Sequence, residues 1–264
     1  MEQAALFPLS SSTPNPYTIA GVQIHPIRLT ELLAWCDQAI ARGFRTTIMY
    51  GNIHAVVLAQ RDQGFASALN RADLVFCDGQ GLRLGAALLG RHLPERFTPP
   101  DWIDALAAQC ATQGQRIFLL GSEPGVAERA ARRLEKHAPG VICGTQHGYY
   151  DWHGAANDAL IAQINQLRPA VLLVGMGMPQ QERWLHLYRH RLRVPVVITV
   201  GALFDYLAER TPRGPRWLTD NGFEWLCRLA YEPQRLWKRY LLGNPYFFWL
   251  IARQFFKERM ARSV

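Results

Sequence analysis

Short apolar runs alternate along this chain with longer stretches whose apolar residues recur every three or four positions. The runs are Thr46–Tyr50, Leu74–Cys77, Arg116–Leu120, Val141–Cys143, Ala170–Val174 and Val194–Val200. Several are apolar at every position, the pattern of a strand buried on both faces of a parallel sheet. Helical periodicity covers Leu29–Arg42, His54–Arg71, Leu82–Leu89, Trp102–Gln113, Gly125–His137, Asn157–Leu167 and Gln181–Arg189. This alternation predicts an α/β, Rossmann-like, doubly wound and mostly parallel sheet over residues 17–208. Ligands of such sheets bind beyond the carboxyl ends of the strands. The residues that follow each strand are therefore the first place to look for chemistry.

Both ends of the chain depart from the alternation. Residues 1–16, with Ser10-Ser11-Ser12-Thr13-Pro14-Asn15-Pro16, predict a flexible leader without the basic and apolar regions of a secretory signal. Residues 209–264 predict a helical appendage that carries eleven Lys/Arg against five Asp/Glu, most of the whole-chain net charge of +8, and four of the eight tryptophans. Cations among amphipathic rings suit anionic head groups at a water–hydrocarbon boundary. The apolar run Tyr246–Ile251 lies between Asn244-Pro245 and Arg253, too short to span a bilayer. The tail is expected to lie on an anionic membrane surface, which makes the protein peripheral, and with no secretory signal the expected side is the cytoplasmic face of the inner membrane. Arg235, Lys238 and Arg239 are spaced to share one face of that surface helix. Five scattered cysteines without a CxxC pair fit reduced thiols.

Polar residues cluster where strands are predicted to end. Asn52, in Tyr50-Gly51-Asn52-Ile53-His54, either caps the next helix or binds substrate. Asp78, in Cys77-Asp78-Gly79-Gln80-Gly81, is either a helix cap or a general base at the mouth of a cleft. Gly121, in Leu120-Gly121-Ser122-Glu123-Pro124-Gly125, opens a loop suited to a nucleotide or phosphate. It is neither a Walker A loop nor a full GxGxxG. Gly175 and Gly177 precede Pro179 in Gly175-Met176-Gly177-Met178-Pro179-Gln180-Gln181-Glu182, so backbone N–H groups can face a ligand at a positive helix end. Glu182 can equally be a favourable first-turn charge, and Asp205 can be structural.

Absences narrow the chemistry. There is no DxD diphosphate clamp, no HExxH or other ligand spacing among the eight histidines, and no GxSxG elbow. No metal is expected. An enzyme acting on a diphosphate without one needs arginines to receive the leaving charge, and the tail is rich in them.

In order and spacing these segments, with Pro94-Glu95-Arg96-Phe97, Asp101, Gly201–Asp205, Pro212–Trp217, Phe223–Leu229 and Glu232–Arg235, resemble the WecG/TagA/CpsF glycosyltransferases from about Ala20 to Tyr246. The resemblance implies metal-independent, inverting transfer of a sugar from a UDP-sugar to a polyprenyl-diphosphate-linked sugar. It implies that Asp78 is the catalytic base and that Asn52, Arg96 and Gln181 line the cleft. It also implies that Arg213, Arg228 and Arg235 close over the site toward the diphosphates, and that the tail docks on the membrane. Three positions depart from the family pattern: Tyr50 stands near Asn52 where several members have Thr, Gly214 replaces an Ala, and Pro99 replaces a Gly. The loop and tail look most similar to the xanthan-type exopolysaccharide branch, which implies a β-1,4-glucose as the sugar moved. UDP-N-acetylmannosamine or its uronic acid is the alternative donor. Self-association into a homo-oligomer is possible on this reading. Two other classes compete: a Rossmann-type oxidoreductase or epimerase, which lacks its GxGxxG here, and a non-enzymatic basic protein binding membrane or nucleic acid. No RRM, KH or zinc-finger pattern supports nucleic acid as a partner.

Overall fold

The computed structural model describes residues 15–211, 214, 218 and 224–262, without the side chains of Glu224, Arg235 and Arg262. The leader expected over residues 1–16 lies outside them as far as residue 14. A two-stranded hairpin comes first, β1 (Tyr17–Ile19) paired antiparallel with β2 (Val22–Ile24). Its turn, Ala20-Gly21, takes positive φ at both residues, which matches the twist of a tight hairpin.

The main sheet has six strands in the order β4-β3-β8-β7-β5-β6, all pairs parallel. They are β3 (Thr46–Gly51), β4 (Leu74–Cys77), β5 (Ile117–Gly121), β6 (Ile142–Gln146), β7 (Val171–Gly175) and β8 (Val196–Thr199). Every residue of β4, β5, β7 and β8 is buried. Helices cover both faces. On one face α1 (Leu29–Arg42), α5 (Pro99–Thr112), α6 (Val126–Glu135) and α9 (Leu203–Leu207) pack around Trp102, Leu106, Ala130 and Phe204. On the other lie α2 (Ile53–Ala59), α3 (Gln63–Asn70), α4 (Gln80–Leu88), α7 (Ala155–Leu167) and α8 (Gln180–Tyr188), around Phe65, Phe118 and Trp184. The doubly wound α/β architecture read from the alternation is the one observed.

The single helix expected over His54–Arg71 is two. Asp62 accepts a hydrogen bond from the Phe65 N–H at 2.9 Å and starts α3 afresh, so a side-chain cap interrupts a periodicity that continues through it. The hairpin escaped the sequence pattern because its three-residue strands are too short to show a period.

The tail forms α10 (Glu224–Tyr231), α11 (Pro233–Trp237), a π turn over Lys238–Leu242 and α12 (Gly243–Arg262). Among the described residues no helix is long and apolar enough to cross a membrane. The last helix is part of the second apolar layer, where Phe247, Leu250 and Ile251 are buried. Its docking site on α4 is Gly85: a Cβ there would stand 2.4 Å from the Phe247 ring. Polar ties lock the same helix to the hairpin. The Gln254 side chain accepts from the Ala20 N–H at 2.7 Å and donates to the Thr18 carbonyl at 3.0 Å, and Arg91 pairs with Glu258 at 2.7 Å.

Candidate active site

A cleft of about 800 Å³ opens at the carboxyl ends of β3, β4 and β8 and is walled on its far side by the tail. Parallel strands end together there, so the polar residues that follow them converge. Asn52 and Asp78 follow β3 and β4, neighbouring strands, and both line the cleft. The Asn52 side chain caps the helix, as one of its two readings has it, and also reaches Asp78. Its Oδ1 caps α2 by accepting the Ala55 N–H at 3.0 Å, and its Nδ2 donates to Asp78 Oδ2 at 3.3 Å.

Asp78 is not a helix cap. Gly79, at φ 120°, occupies the cap position of α4 and leaves the half-buried carboxylate facing the cleft. The Asp78 N–H is held by the Gly51 carbonyl at 2.8 Å, which ties the turn to the end of β3. A Cβ on Gly81 would meet Ile53 Cδ1 at 2.4 Å, so a larger residue there would displace the Ile53 side chain in the cleft. The carboxylate is thus oriented by an amide that is itself fixed by a helix end.

Arg96 reaches the cleft from the loop between α4 and α5. The next turn is rigid. Thr98 and Asp101 form a capping box, with the Thr98 N–H donating to Asp101 at 2.8 Å, and Pro99-Pro100 fills the first turn of α5. From the tail, Arg228 lines the cleft with its guanidinium 5.8 Å from the centre of the Tyr206 ring. Arg235 lies on α11, and Arg213 lies outside the described residues.

Arg239 is the cleft residue that sequence reasoning misplaced. Lys238 and Arg239 do not share the membrane face expected for them, because α11 stops at Trp237 and the chain winds into the π turn. Lys238 is exposed, whereas Arg239 lines the cleft with its Nε buried and without a hydrogen-bond partner among the described residues. Burial, more than any neighbour, holds its ionisation below the usual arginine range. A π turn inside helical sequence often marks a functional site, but its register cannot be read from helical spacing. His54 is a second cleft residue not singled out. Burial, then the Arg239 charge, pushes its imidazole down to about 3, so it is neutral at ordinary pH.

The glycine-rich segments divide. Gly177, at φ 77°, lines the cleft with open space beside it. Gly121 and Gly175 lie where strands β5 and β7 end side by side, off the cleft wall. A Cβ on Gly121 would stand 2.3 Å from the Gly175 carbonyl oxygen, so packing alone demands glycine there. Gln181 and Glu182 are fully buried beneath the cleft floor rather than on its wall. A second cavity of about 550 Å³ opens at the opposite, amino end of the sheet, between Arg116, Arg168 and Arg193. It holds none of the acid–base groups described above. Among the described residues no group of three or more His, Cys, Asp or Glu side chains could hold a metal ion.

A carboxylate oriented by an amide shares a cleft at the strand carboxyl ends with several guanidinium groups, an arrangement suited to group transfer. The chain belongs to the glycosyl transferase WecG/TagA/CpsF family, whose sequence profile matches residues 17–261. It is 28% identical over 207 residues to the N-acetylglucosaminyldiphosphoundecaprenol N-acetyl-beta-D-mannosaminyltransferase of Bacillus subtilis (strain 168), covering 78% of each chain. The enzyme of the same name from Staphylococcus aureus (strain NCTC 8325 / PS 47) is 26% identical over 215 residues, 81% of this chain and 83% of its own.

Proposed function

We propose that this protein transfers a hexosyl residue, N-acetylmannosamine ahead of glucose, from a UDP-sugar to a polyprenyl-diphosphate-linked sugar. The observation that carries the sugar and the acceptor is the shared activity of the two relatives, which favours the N-acetylmannosaminyl alternative over the glucose expected from the loop and tail. The chemistry is a single in-line displacement with inversion. Asp78 takes the proton of the acceptor hydroxyl, with Asn52 Nδ2 aligning the carboxylate. The hydroxyl oxygen attacks the anomeric carbon from the face opposite UDP. The C–O bond to UDP breaks, and the charge growing on the diphosphate meets the guanidinium groups of Arg96, Arg228 and Arg239. The proposed place of action is the cytoplasmic membrane surface, where the lipid acceptor is held. The exposed side chains Leu88, Trp249, Phe256 and Met260 support that reading by giving α4 and α12 an outward apolar surface.

The test is a matrix of UDP-N-acetylmannosamine and UDP-glucose against N-acetylglucosaminyl- and glucosyl-diphosphate-undecaprenol, with linkage read by NMR. A β-linked N-acetylmannosaminyl product on the N-acetylglucosaminyl acceptor is expected. Turnover with UDP-glucose alone would restore glucose as the sugar moved, and an α-linked product would exclude the single displacement.

A further inference from the structure

Below the cleft floor lies a polar cluster that the displacement itself does not use. Gln181 and Glu182, in the first turn of α8, are 0% exposed. The Gln181 amide holds three groups together. Its Nε2 donates to Glu182 Oε1 at 2.7 Å and to the Tyr50 hydroxyl at 3.5 Å, and its Oε1 accepts the Gly201 N–H at 3.1 Å. Tyr50 and Gly201 both line the cleft. They are in close contact, since a Cβ on Gly201 would stand 2.4 Å from the Tyr50 hydroxyl.

The second oxygen of Glu182, Oε2, is buried without a hydrogen-bond partner among the described residues, as is Thr199 Oγ1 at the end of β8. A carboxylate served by one side-chain amide and its own backbone N–H, with no cation among the groups acting on it, is a costly ion in a dry interior. A carboxylic acid suits the site better, with Oε1 accepting from Gln181 and the proton on Oε2. The titratable group facing it from β3 is Tyr50, whose hydroxyl is pushed up by burial first and then by the charges of Glu182 and Asp78. The Arg239 cation is coupled to Tyr50 and Asp78, and no cation acts on Glu182 itself. From α8 itself the facing group is Gln181, and from the β8 turn it is the Gly201 N–H that Gln181 holds.

We propose that Glu182 is a proton-bearing positioning residue, which as the neutral acid fixes the Gln181 amide and through it the Tyr50 hydroxyl and the Gly201 turn at the floor of the cleft. The role in turnover rests on the glycosyltransferase reading; the protonation does not. Burial pushes the Glu182 carboxyl from 4.5 up to about 8. The folded chain then keeps a proton that the unfolded chain releases. The stability contributed by this group is full below about pH 4.5 and is lost as the pH rises through about 8.

The experiment compares the full-length wild type with E182Q and E182L. E182Q keeps the acceptor oxygen and cannot ionise. Its melting temperature should fall less than that of the wild type between pH 6 and pH 9. An infrared band of a protonated carboxyl, present in the wild type at pH 7, should be missing from E182Q. E182L strands the Gln181 amide, so kcat/KM should fall about tenfold, and E182Q should recover most of it with a flatter alkaline limb. Superimposable melting–pH curves of wild type and E182Q, or no protonated-carboxyl band in the wild type, would overturn the proposal. So would an E182Q as impaired as E182L. Should E182L not fold, the wild type and E182Q curves still decide. Should no sugar be transferred by any variant, the melting and infrared results stand and only the functional reading fails.

Discussion

The two halves of the tail share a composition and differ in placement. Residues 224–242 are turned toward the cleft, with Trp225, Arg228, Leu236, Arg239 and Tyr240 on its wall. Residues 243–262 give Asn244 and Phe248 to the same cleft but are otherwise turned toward α2 and α4, with Phe247, Leu250 and Ile251 buried and Trp249, Phe256 and Met260 on the outer side. In the first half a guanidinium is desolvated next to the Asp78 charge. In the second, Arg253 stays exposed, 5.7 Å from the centre of the Trp249 ring. A helix with apolar residues on all sides needs two apolar partners, or one partner and a membrane. A cation is brought inside where an anion meets it and otherwise remains at the surface with its apolar stem covered. The first half is thus placed for the proposed chemistry, and most of the second holds the tail to the sheet domain.

The largest expected effect sets the scale for the cleft side of that contrast. Asp78→Asn should lower turnover about 10²–10⁴-fold while UDP binding, measured by calorimetry, is retained. Normal turnover in this variant would remove the base from the mechanism. Next comes the attachment side. Phe247→Ala should destabilise the fold by about 3–5 kcal/mol in urea unfolding, as large-to-small changes of buried aromatics do. A variant of unchanged stability would mean that α12 is not held by the core. Arg239→Met should lower kcat by about 10², the scale of one lost donor to a developing anion. Its melting temperature should not fall, since a desolvated cation is removed. A stability loss with normal kcat would place Arg239 in the structural half. The smallest effect belongs to the outer surface. Trp249→Ser with Phe256→Ser should leave stability within about 0.5 kcal/mol yet weaken sedimentation with anionic vesicles. Undiminished vesicle binding would move the membrane contact elsewhere.

Much of this was legible in the chain before any coordinates. The strands β4, β5, β7 and β8 are buried at every position, and an unbroken apolar run is what such burial writes into sequence. Asn52 and Asp78 were legible because they follow such runs directly. Legibility failed where a residue type has two equally good explanations. Gly121 reads as a phosphate loop, yet the Gly175 carbonyl, 54 residues later in the chain and adjacent only through β5–β7 pairing, is what requires it. The family resemblance puts Gln181 on the wall, and Glu182 reads either as a site residue or as a first-turn charge of their helix. The sequence carries no mark of which way that helix rolls, and it rolls both side chains inward. Helical spacing puts Arg239 on the membrane face, and the π turn breaks that spacing.

Periodicity, apolar runs and the residues punctuating them were enough to determine the doubly wound sheet and the end of it that holds the chemistry, because both follow from local propensity and burial. Only the tertiary structure decided which polar groups meet there. The Asn52–Asp78 bond needs β3 beside β4, the Gln181–Gly201 bond needs α8 against the β8 turn, and the cleft position of Arg239 needs the tail folded back over the sheet. Those meetings depend on the packing of segments distant in sequence, and no local pattern encodes the direction from which a distant segment arrives.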